Sequence, residues 1–159
     1  MIEVQVRRAT AADAGELVRL RMVMFGSMDG AAVEPGEWSR EAARSLRERL
    51  PEPDARTAAF VVDRPDEPGR LAACAVGEID VRLGSPSNPA GLSGYLYNVS
   101  TDGAYRRRGY SLACVTAMLD WFRHRGVARV QLHATDNGYE LYRRLGFRDV
   151  DHASMVIAL

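Results

Sequence analysis

The chain has 159 residues, 47% of them hydrophobic and 26% charged, and its 21 acidic residues are balanced by 21 arginines without a single lysine. The missing lysine excludes a Schiff-base lysine, a pyridoxal-phosphate anchor and a P-loop lysine, and the net charge of zero argues against a general nucleic-acid or membrane-surface binder. Because no stretch approaches the ~18 apolar residues of a membrane span and the N-terminal segment is too charged for a signal peptide, we expect a cytoplasmic protein with a single domain over residues 1–159.

The first half of the chain predicts a strand, two helices and a pair of strands. Alternating apolar residues indicate a short strand at 2–6, and apolar residues at helical spacing indicate helices at 14–25 and 38–50. Two apolar runs, at 58–62 and 71–79, are separated by a segment rich in Pro, Gly and Asp. That spacing is typical of two strands joined by a loop.

The second half predicts three strands and two helices after a turn-rich loop at 84–93. The predicted strands are 95–101, 127–134 and 150–159, and the predicted helices are 112–122 and 139–145. Gly126 and Gly146 follow the two helices and are expected to end them. Because the element order lacks a regular βαβ alternation, we expect an α/β protein with a mixed sheet (α+β type) and helices on both faces, and not a doubly wound parallel sheet.

The charges and the cysteines are distributed unevenly. Residues 1–80 contain 15 acids and 11 arginines, a net charge of −4, whereas residues 81–159 contain 6 acids and 10 arginines, a net charge of +4. An anionic ligand is therefore expected in the second half.

Cys74 and Cys114 lie in apolar runs without metal-ligand spacing, and His124, His133 and His152 are widely separated, so we expect buried reduced thiols and no metal site.

Three consecutive arginines, Arg106–Arg108, precede Gly109 between a predicted strand and a predicted helix. The start of a helix has unpaired N–H groups and the positive end of the helix dipole, and glycine lets an anion approach the backbone. Guanidinium groups add donors that match phosphate oxygens. The pattern favours a phosphate or pyrophosphate site, although arginine runs are also typical of solvated faces, local salt bridges and nucleic-acid patches.

These residues resemble the phosphate loop of the GNAT superfamily of acetyl-CoA-dependent N-acetyltransferases. In the family pattern Gln/Arg-x-x-Gly-x-Gly/Ala, the specified positions are occupied by Arg106, Gly109 and Ser111, with serine replacing the usual Gly or Ala. The family run upstream of this loop, apolar-x-Val-x-Pro-x-Tyr-Arg, is matched at Val99, Thr101, Gly103, Tyr105 and Arg106, with Thr and Gly at the Val and Pro positions. A second family motif, Leu-Tyr-x-x-x-Gly-Phe, is matched by Leu141, Tyr142, Gly146 and Phe147.

The resemblance implies a GNAT-like fold and acetyl-CoA as co-substrate. The implied fold has a mixed central sheet of about six or seven strands, about four flanking helices, and a splayed strand pair at the cofactor site. The implied cofactor-binding residues are Val99, Ser100, Thr101, Arg106, Arg107, Arg108, Gly109, Tyr110 and Ser111. In that arrangement the first three residues border the pantetheine arm, the backbone N–H groups of 107–111 hold the pyrophosphate, and a backbone N–H near Val99 polarises the acetyl carbonyl.

The resemblance also implies direct transfer of the acetyl group to an amine. Tyr142 occupies the position that the family commonly uses to protonate the leaving sulfur, and a phenol with a pKa of about 10 suits that role. The other interpretation is that Tyr142 only packs against the core. For the general base, Glu78 and His133 are candidates by their positions at strand ends, and structural roles remain open for both.

The acceptor is predicted only as a primary amine of a small molecule or peptide. Glu34, Glu37 and Glu41 cluster between and on the first two helices, where they either bind a cationic amine or form a solvated acidic face.

A non-catalytic acyl-CoA-binding sensor or interaction module is the alternative function, and an arginine-mediated nucleic-acid binder is a third. We expect neither a nucleic acid nor a membrane as partner. The apolar C-terminal run MVIAL and exposed sheet edges make a homodimer reasonable.

Overall fold

The apolar repeats of the sequence form a five-stranded sheet with helices on both faces. The computed structural model describes residues 3–159. The strands are β1 (Arg7–Arg8), β2 (Thr57–Asp63), β3 (Leu71–Val81), β4 (Leu92–Thr101) and β5 (Arg129–Gln131), and the helices are α1 (Ala14–Asp29), α2 (Glu37–Arg49), α3 (Tyr110–His124) and α4 (Tyr139–Arg144). The sheet order follows the chain, β1-β2-β3-β4-β5, with antiparallel neighbours except for the parallel pair β4 and β5. The predicted mixed sheet and four helices are confirmed.

Local sequence signals set the ends of the helices. Before α1, the Asp13 carboxylate accepts a hydrogen bond from the Thr10 backbone N–H at 2.8 Å, which is one half of a capping box. α1 ends at Gly30, whose φ of 71° is in the left-handed region that favours glycine. Gly126 and Gly146 follow α3 and α4 with φ values of 75° and 95°, as predicted.

The core lies on both faces of β3, which explains why this strand is apolar throughout. On one face α3 packs closely: a Cβ added to Gly77 would lie 2.5 Å from the sulfur of Met118, and one added to Gly94 would lie 2.8 Å from the ring of Phe122. On the other face Leu17 of α1 is fully buried in a separate cluster. Burial of each such large side chain stabilises the fold by about 1.5–3 kcal/mol.

Two strand predictions were wrong in position or length. The strand predicted at 2–6 includes residue 2, which lies outside the described residues, and residues 3–6 are not in a strand; β1 is Arg7–Arg8, opposite Val61 and Phe60 of β2. β5 is shorter than the predicted 127–134 because only Arg129–Gln131 pairs with β4. Alternation of side chains indicates an extended segment, but hydrogen bonds to a neighbour decide where a strand exists.

The last predicted strand, at 150–159, is absent. These residues, including His152, have no regular structure and are exposed, with Met155 and Val156 exposed by 93% and 99%. No ladder partner contacts them within residues 3–159, so their apolar pattern alone does not make a strand. The sheet of the described chain therefore has five strands and not the expected six or seven.

Both cysteines are buried free thiols, as predicted. Burial raises the pKa of the Cys74 thiol to about 12 and also raises the pKa of Cys114. Among the helices at 3–159, none combines the length and apolar character needed to cross a bilayer.

Candidate active site

The strands β4 and β5 pair over only part of β4, and the unpaired stretch of the β4 edge beyond this pairing is here called the gap. They pair in parallel from Ser93/Arg129 to Tyr95/Gln131. β5 then ends, whereas β4 continues to Thr101 and remains paired with β3 on its other side. From Leu96 onward the β4 edge that faces away from β3 therefore has no strand partner within the described chain. This early end of the pairing is what the predicted splayed strand pair requires.

A bulge at Asn98 redirects the side chains of β4 at this gap. Asn98 has a φ of 52°, is only 5% exposed, and accepts a hydrogen bond from the Cys74 thiol on its backbone oxygen at 3.2 Å. Tyr97, before the bulge, packs with the α1 side of the core, whereas Val99, after it, packs with the α3 side. Without the bulge, residues two apart on a strand would face the same side.

The three residues predicted to border the pantetheine arm differ in orientation. Val99 and Thr101 are half-buried on the α3 side of the sheet. Ser100 is 6% exposed and lies opposite Cys74 of β3, which belongs to the α1 side of the core. Only the backbone of Ser100 therefore borders the gap between β4 and β5.

The segment between β4 and α3, here called loop 102–109, ends in a backbone arrangement suited to an anion. Arg107 and Gly109 both have left-handed backbone, with φ values of 64° and 78°. The first hydrogen bond of α3 runs from the Ala113 N–H to the Gly109 carbonyl oxygen at 3.1 Å, so the N–H groups of 110–112 have no partner within the helix. A Cβ added to Gly109 would meet no atom within 4 Å. Open space beside a glycine, a helix start and left-handed backbone at two nearby residues are features that anion-binding loops use.

None of the three arginines of loop 102–109 forms an ion pair with another described residue. The Arg106 Nε donates to the Thr101 carbonyl oxygen at 3.4 Å, and the Arg108 guanidinium lies over the Tyr105 ring at 5.1 Å. Arg107 has no hydrogen bond or ion pair within residues 3–159. The alternative that this run serves as a local salt-bridge donor therefore finds no support in the contacts.

A network of charges that is not evident from the sequence anchors the start of the loop. The Asp102 carboxylate accepts hydrogen bonds from Arg19 of α1, at 2.9 Å, and from Arg64 of the β2–β3 turn, and it also accepts the Gly103 N–H at 3.1 Å. Burial alone would raise the pKa of Asp102, but the two guanidinium groups outweigh it and leave the pKa lowered. Since the partners are far apart in the chain, no local pattern predicts this network.

A second anchor fixes the middle of the loop. The Tyr105 hydroxyl donates a hydrogen bond to the Asp66 carboxylate in the β2–β3 turn. The Tyr105 ring is buried and lies beneath the Arg64 guanidinium, whose carbon is 5.5 Å from the ring centroid. The β2–β3 turn thus contacts loop 102–109 at two points, Asp102 and Tyr105.

Thr101 and Ser111 close the loop at its two ends. Their hydroxyl oxygens lie 2.5 Å apart and share a hydrogen bond. Serine at the position where the family pattern has Gly or Ala therefore links the end of β4 to the first turn of α3.

Tyr142 lies on α4, half-buried against the core cluster that also includes Val99 and Tyr110 in its outer shell. Its ring packs edge-on against Phe147, with 5.8 Å between the centroids. Burial raises the pKa of Tyr142 to about 12, and its hydroxyl has no hydrogen-bond partner among residues 3–159. The ring also lines a cavity of about 360 Å³ together with His133 of the segment after β5.

Both candidate bases lie beside Tyr95. Glu78 of β3 is directly opposite Tyr95 of β4, and the His133 ring meets the Tyr95 ring edge-on with 5.9 Å between the centroids. Glu78 is not an isolated carboxylate, because Arg49 of α2 forms an ion pair with it and the Tyr97 hydroxyl donates to it at 3.5 Å. The structure therefore brings Glu78 and His133 to one region and gives Glu78 a permanent cationic partner.

The acidic residues expected near an amine substrate are on the solvent side. Glu34, Glu37 and Glu41 are all exposed, and Glu41 forms an ion pair with Arg44 at 2.7 Å. This arrangement fits a solvated acidic face. Residues 3–159 contain no group of three or more His, Cys, Asp or Glu side chains placed to hold a metal ion.

The fold and the sequence both match known acetyltransferases. The profile of the Acetyltransferase (GNAT) family matches residues 25–147. A crystal structure of a predicted acetyltransferase with acetyl-CoA from Clostridium acetobutylicum has a TM-score of 0.82 at 20% identity, with 98% of this chain and 96% of that chain covered.

Two further structures share the fold. A GCN5-related N-acetyltransferase from Ralstonia eutropha JMP134 has a TM-score of 0.76 at 25% identity, with 98% of this chain and 99% of that chain covered. The glucosamine-6-phosphate N-acetyltransferase of Arabidopsis thaliana has a TM-score of 0.75 at 16% identity, with the same coverage of 98% and 99%. A sequence search among curated proteins gave no significant match. With its family profile spanning most of the chain, this protein belongs to the GNAT family of acetyltransferases.

Proposed function

We propose that this chain transfers an acetyl group from acetyl-CoA directly to a primary amine of a small molecule or peptide, using a single domain. The observation that carries the proposal is the unpaired edge of β4 after Tyr95, followed along the chain by a left-handed Gly109 with open space beside it at the start of α3. An extended arm with a pyrophosphate at one end fits such a gap. The family membership supports the same chemistry.

The residues present fit acetyl-CoA. The backbone of 99–101 borders the gap, and we assign the pyrophosphate to the backbone N–H groups of 107–111, of which those of 110 and 111 have no partner within the helix. The guanidinium groups of Arg106, Arg107 and Arg108 have no carboxylate partner among the residues that the structure describes, and we assign them to the phosphates. When bound, acetyl-CoA supplies an activated acyl group as a thioester.

Two groups of the chain are proposed to act on the reacting atoms. The backbone N–H near Val99 polarises the acetyl carbonyl oxygen, as in an oxyanion hole. Tyr142 donates its hydroxyl proton to the sulfur as it leaves. A pKa of about 12 keeps Tyr142 protonated at neutral pH. The same burial raises the pKa of a thiol at that site, so donor and acceptor remain matched.

The amine must lose a proton before it attacks. Glu78 and His133 are the titratable groups that flank Tyr95, and we assign proton removal to this pair, directly or through water. Arg49 holds the Glu78 carboxylate in a fixed position by its ion pair. His133 is exposed and can exchange its proton with solvent.

A thiol-release assay with acetyl-CoA and a panel of primary amines tests the proposal. The panel includes glucosamine 6-phosphate, the substrate in the name of the Arabidopsis relative, together with amino acids, polyamines and peptides. Release of CoA with a mass increase of the amine by one acetyl group is the expected result. Binding of acetyl-CoA without release for any amine would favour the sensor module. Salt-sensitive nucleic-acid binding that acetyl-CoA does not displace would contradict both.

A further inference from the structure

Arg21 of α1 is a half-buried cation without an anionic partner. Its guanidinium carbon lies 4.7 Å from the centroid of the Phe25 ring and 5.9 Å from the centroid of the Tyr97 ring. Within residues 3–159 it forms no ion pair and no side-chain hydrogen bond. The guanidinium lies over the two aromatic rings as a cation–π contact. These rings provide no oxygen acceptor for its five N–H donors.

The neighbouring half-buried arginines are all paired. Arg19, two residues earlier on α1, bonds to Glu16 at 2.7 Å and to Asp102 at 2.9 Å. Arg49 forms an ion pair with Glu78. A partly desolvated guanidinium without such a partner is costly, so Arg21 is the exception on this face of the sheet.

Arg21 contacts the segment of β4 next to the backbone that the proposed transfer assigns to the acetyl carbonyl. Tyr97, over which it stacks, comes immediately before the Asn98 bulge and two residues before Val99. The only carboxylate in contact with Tyr97 within the described chain is Glu78, which Arg49 already neutralises. Both Arg21 and Arg49 are close enough to Tyr97 to oppose the effect of burial, which raises the pKa of that tyrosine. Around Tyr97 two guanidinium groups, Arg21 and Arg49, therefore accompany one carboxylate, Glu78, and Arg21 is the cation left without a partner.

We propose that Arg21 binds an anionic group, a carboxylate or a phosphate, carried by the acceptor amine. The inference rests on the proposed acetyl transfer and narrows its substrate class to amines with a second, negatively charged group. The planar guanidinium provides two parallel N–H donors for two oxygens of such a group. The rings of Phe25 and Tyr97 fix its orientation before the substrate arrives.

Matched pairs of amines test this specificity. One pair is glucosamine 6-phosphate and glucosamine, and the other is each L-amino acid and its amide, so the pairs distinguish a phosphate from a carboxylate. We expect the wild-type chain to acetylate the anionic member of at least one pair with a kcat/KM ~10-fold or more above the neutral member. Arg21→Gln should remove that preference by raising KM for the anionic amine ~10-fold, with the KM for acetyl-CoA unchanged. Arg21→Lys should restore only part of it, because an ammonium group lacks the planar fork.

Arg47→Gln is the matched control, since Arg47 is exposed on α2 and forms no ion pair with another described residue. It should leave the ratio within each pair unchanged. Equal kcat/KM values for both members of every pair, or an unchanged ratio in Arg21→Gln, would overturn the role of Arg21. If no amine is acetylated, the transfer proposal fails by itself, and calorimetric titration of the same pairs into the wild type and Arg21→Gln decides the anion site. Binding of no anionic member, or equal binding by both proteins, would then overturn it.

Discussion

The hydroxyl oxygens of Thr101 and Ser111 lie 2.5 Å apart, so the last residue of β4 is hydrogen-bonded to the first turn of α3. Loop 102–109 is closed by this bond at its base and held by Asp102 and Tyr105 along its length. A site for a pyrophosphate that is rigid before the ligand binds loses less entropy on binding. The serine that departs from the family pattern therefore has a structural partner of its own.

Ser111→Ala should lower the free energy of unfolding by about 1 kcal/mol, because it removes one hydrogen bond and leaves the Thr101 hydroxyl unpaired. Chemical denaturation measures the change. The double variant Thr101→Val/Ser111→Ala should cost less than the sum of the two single changes. Thr116→Ala, which removes an exposed hydroxyl bonded to the Leu112 carbonyl on the same helix, is the control. Additive costs would show that the Thr101–Ser111 bond contributes nothing.

Gly109→Asp should abolish acetyl-CoA binding while the fold persists, since it places a carboxylate in the open space at the start of α3. The left-handed φ of 78° makes any side chain costly there, so Gly109→Asn is the matched variant: it carries nearly the same shape without the charge. Calorimetry with acetyl-CoA should show a much smaller loss for Asn than for Asp. Near-normal affinity in Gly109→Asp would exclude this site for the pyrophosphate.

Tyr142→Phe should lower kcat by roughly 10²-fold or more and leave the KM for acetyl-CoA unchanged, because only the proton donor is removed. Tyr139→Phe is the control, since the Tyr139 hydroxyl is on the same helix but bonds to the exposed Asp149 at 2.8 Å. Burial raises the pKa of Tyr142 to about 12, so the phenol remains protonated across the neutral range. The kcat of the wild type should therefore not fall through ionisation of Tyr142 below about pH 10. An unchanged kcat in Tyr142→Phe would leave Tyr142 as a packing residue.

The charges around Asp102 and Glu16 should make the protein sensitive to acid. Burial opposes ionisation of both carboxyls, but their arginine partners lower both pKa values below the usual range. A carboxyl with a lowered pKa in the folded state stabilises the fold above its unfolded pKa, and this contribution is lost as the pH falls through the folded pKa. Denaturation between pH 7 and pH 3 should show the free energy of unfolding falling below about pH 4.5.

The Asp102→Asn variant measures how much the Asp102 carboxylate contributes to the free energy of unfolding. At pH 7 it should lower the free energy of unfolding by about 1.5–3 kcal/mol, since two guanidinium groups lose a charged acceptor. The difference from the wild type should shrink as the pH falls below the usual range of an aspartate pKa toward the lowered pKa of folded Asp102, because protonation then removes the charge. Asp120→Asn is the control, because Asp120 pairs with Arg123 on the exposed face of α3. A difference that stays constant with pH would show that the charge of Asp102 is not what stabilises the loop.

Much of the architecture follows from local patterns. The apolar spacing that buries Leu17 and Phe122 predicts α1 and α3, the Thr10/Asp13 spacing predicts a capped start, and Gly126 and Gly146 predict helix ends, because each depends only on neighbours in the chain. The position of the loop at Arg106–Gly109 is also predicted from adjacent residues, because it depends only on the end of a strand, the start of a helix and a glycine.

The sequence by itself therefore determined the helices, the mixed sheet and the position of the loop between β4 and α3, since a few adjacent residues specify them. Only the tertiary structure decided where strands pair: β5 stops at Gln131, and the apolar residues 150–159 form no strand, because pairing depends on a distant partner. The tertiary structure likewise decided that Arg19 meets Asp102, that Ser111 meets Thr101 and that Arg21 meets no carboxylate in the described chain. Charge partners separated by many residues become neighbours only when the chain folds.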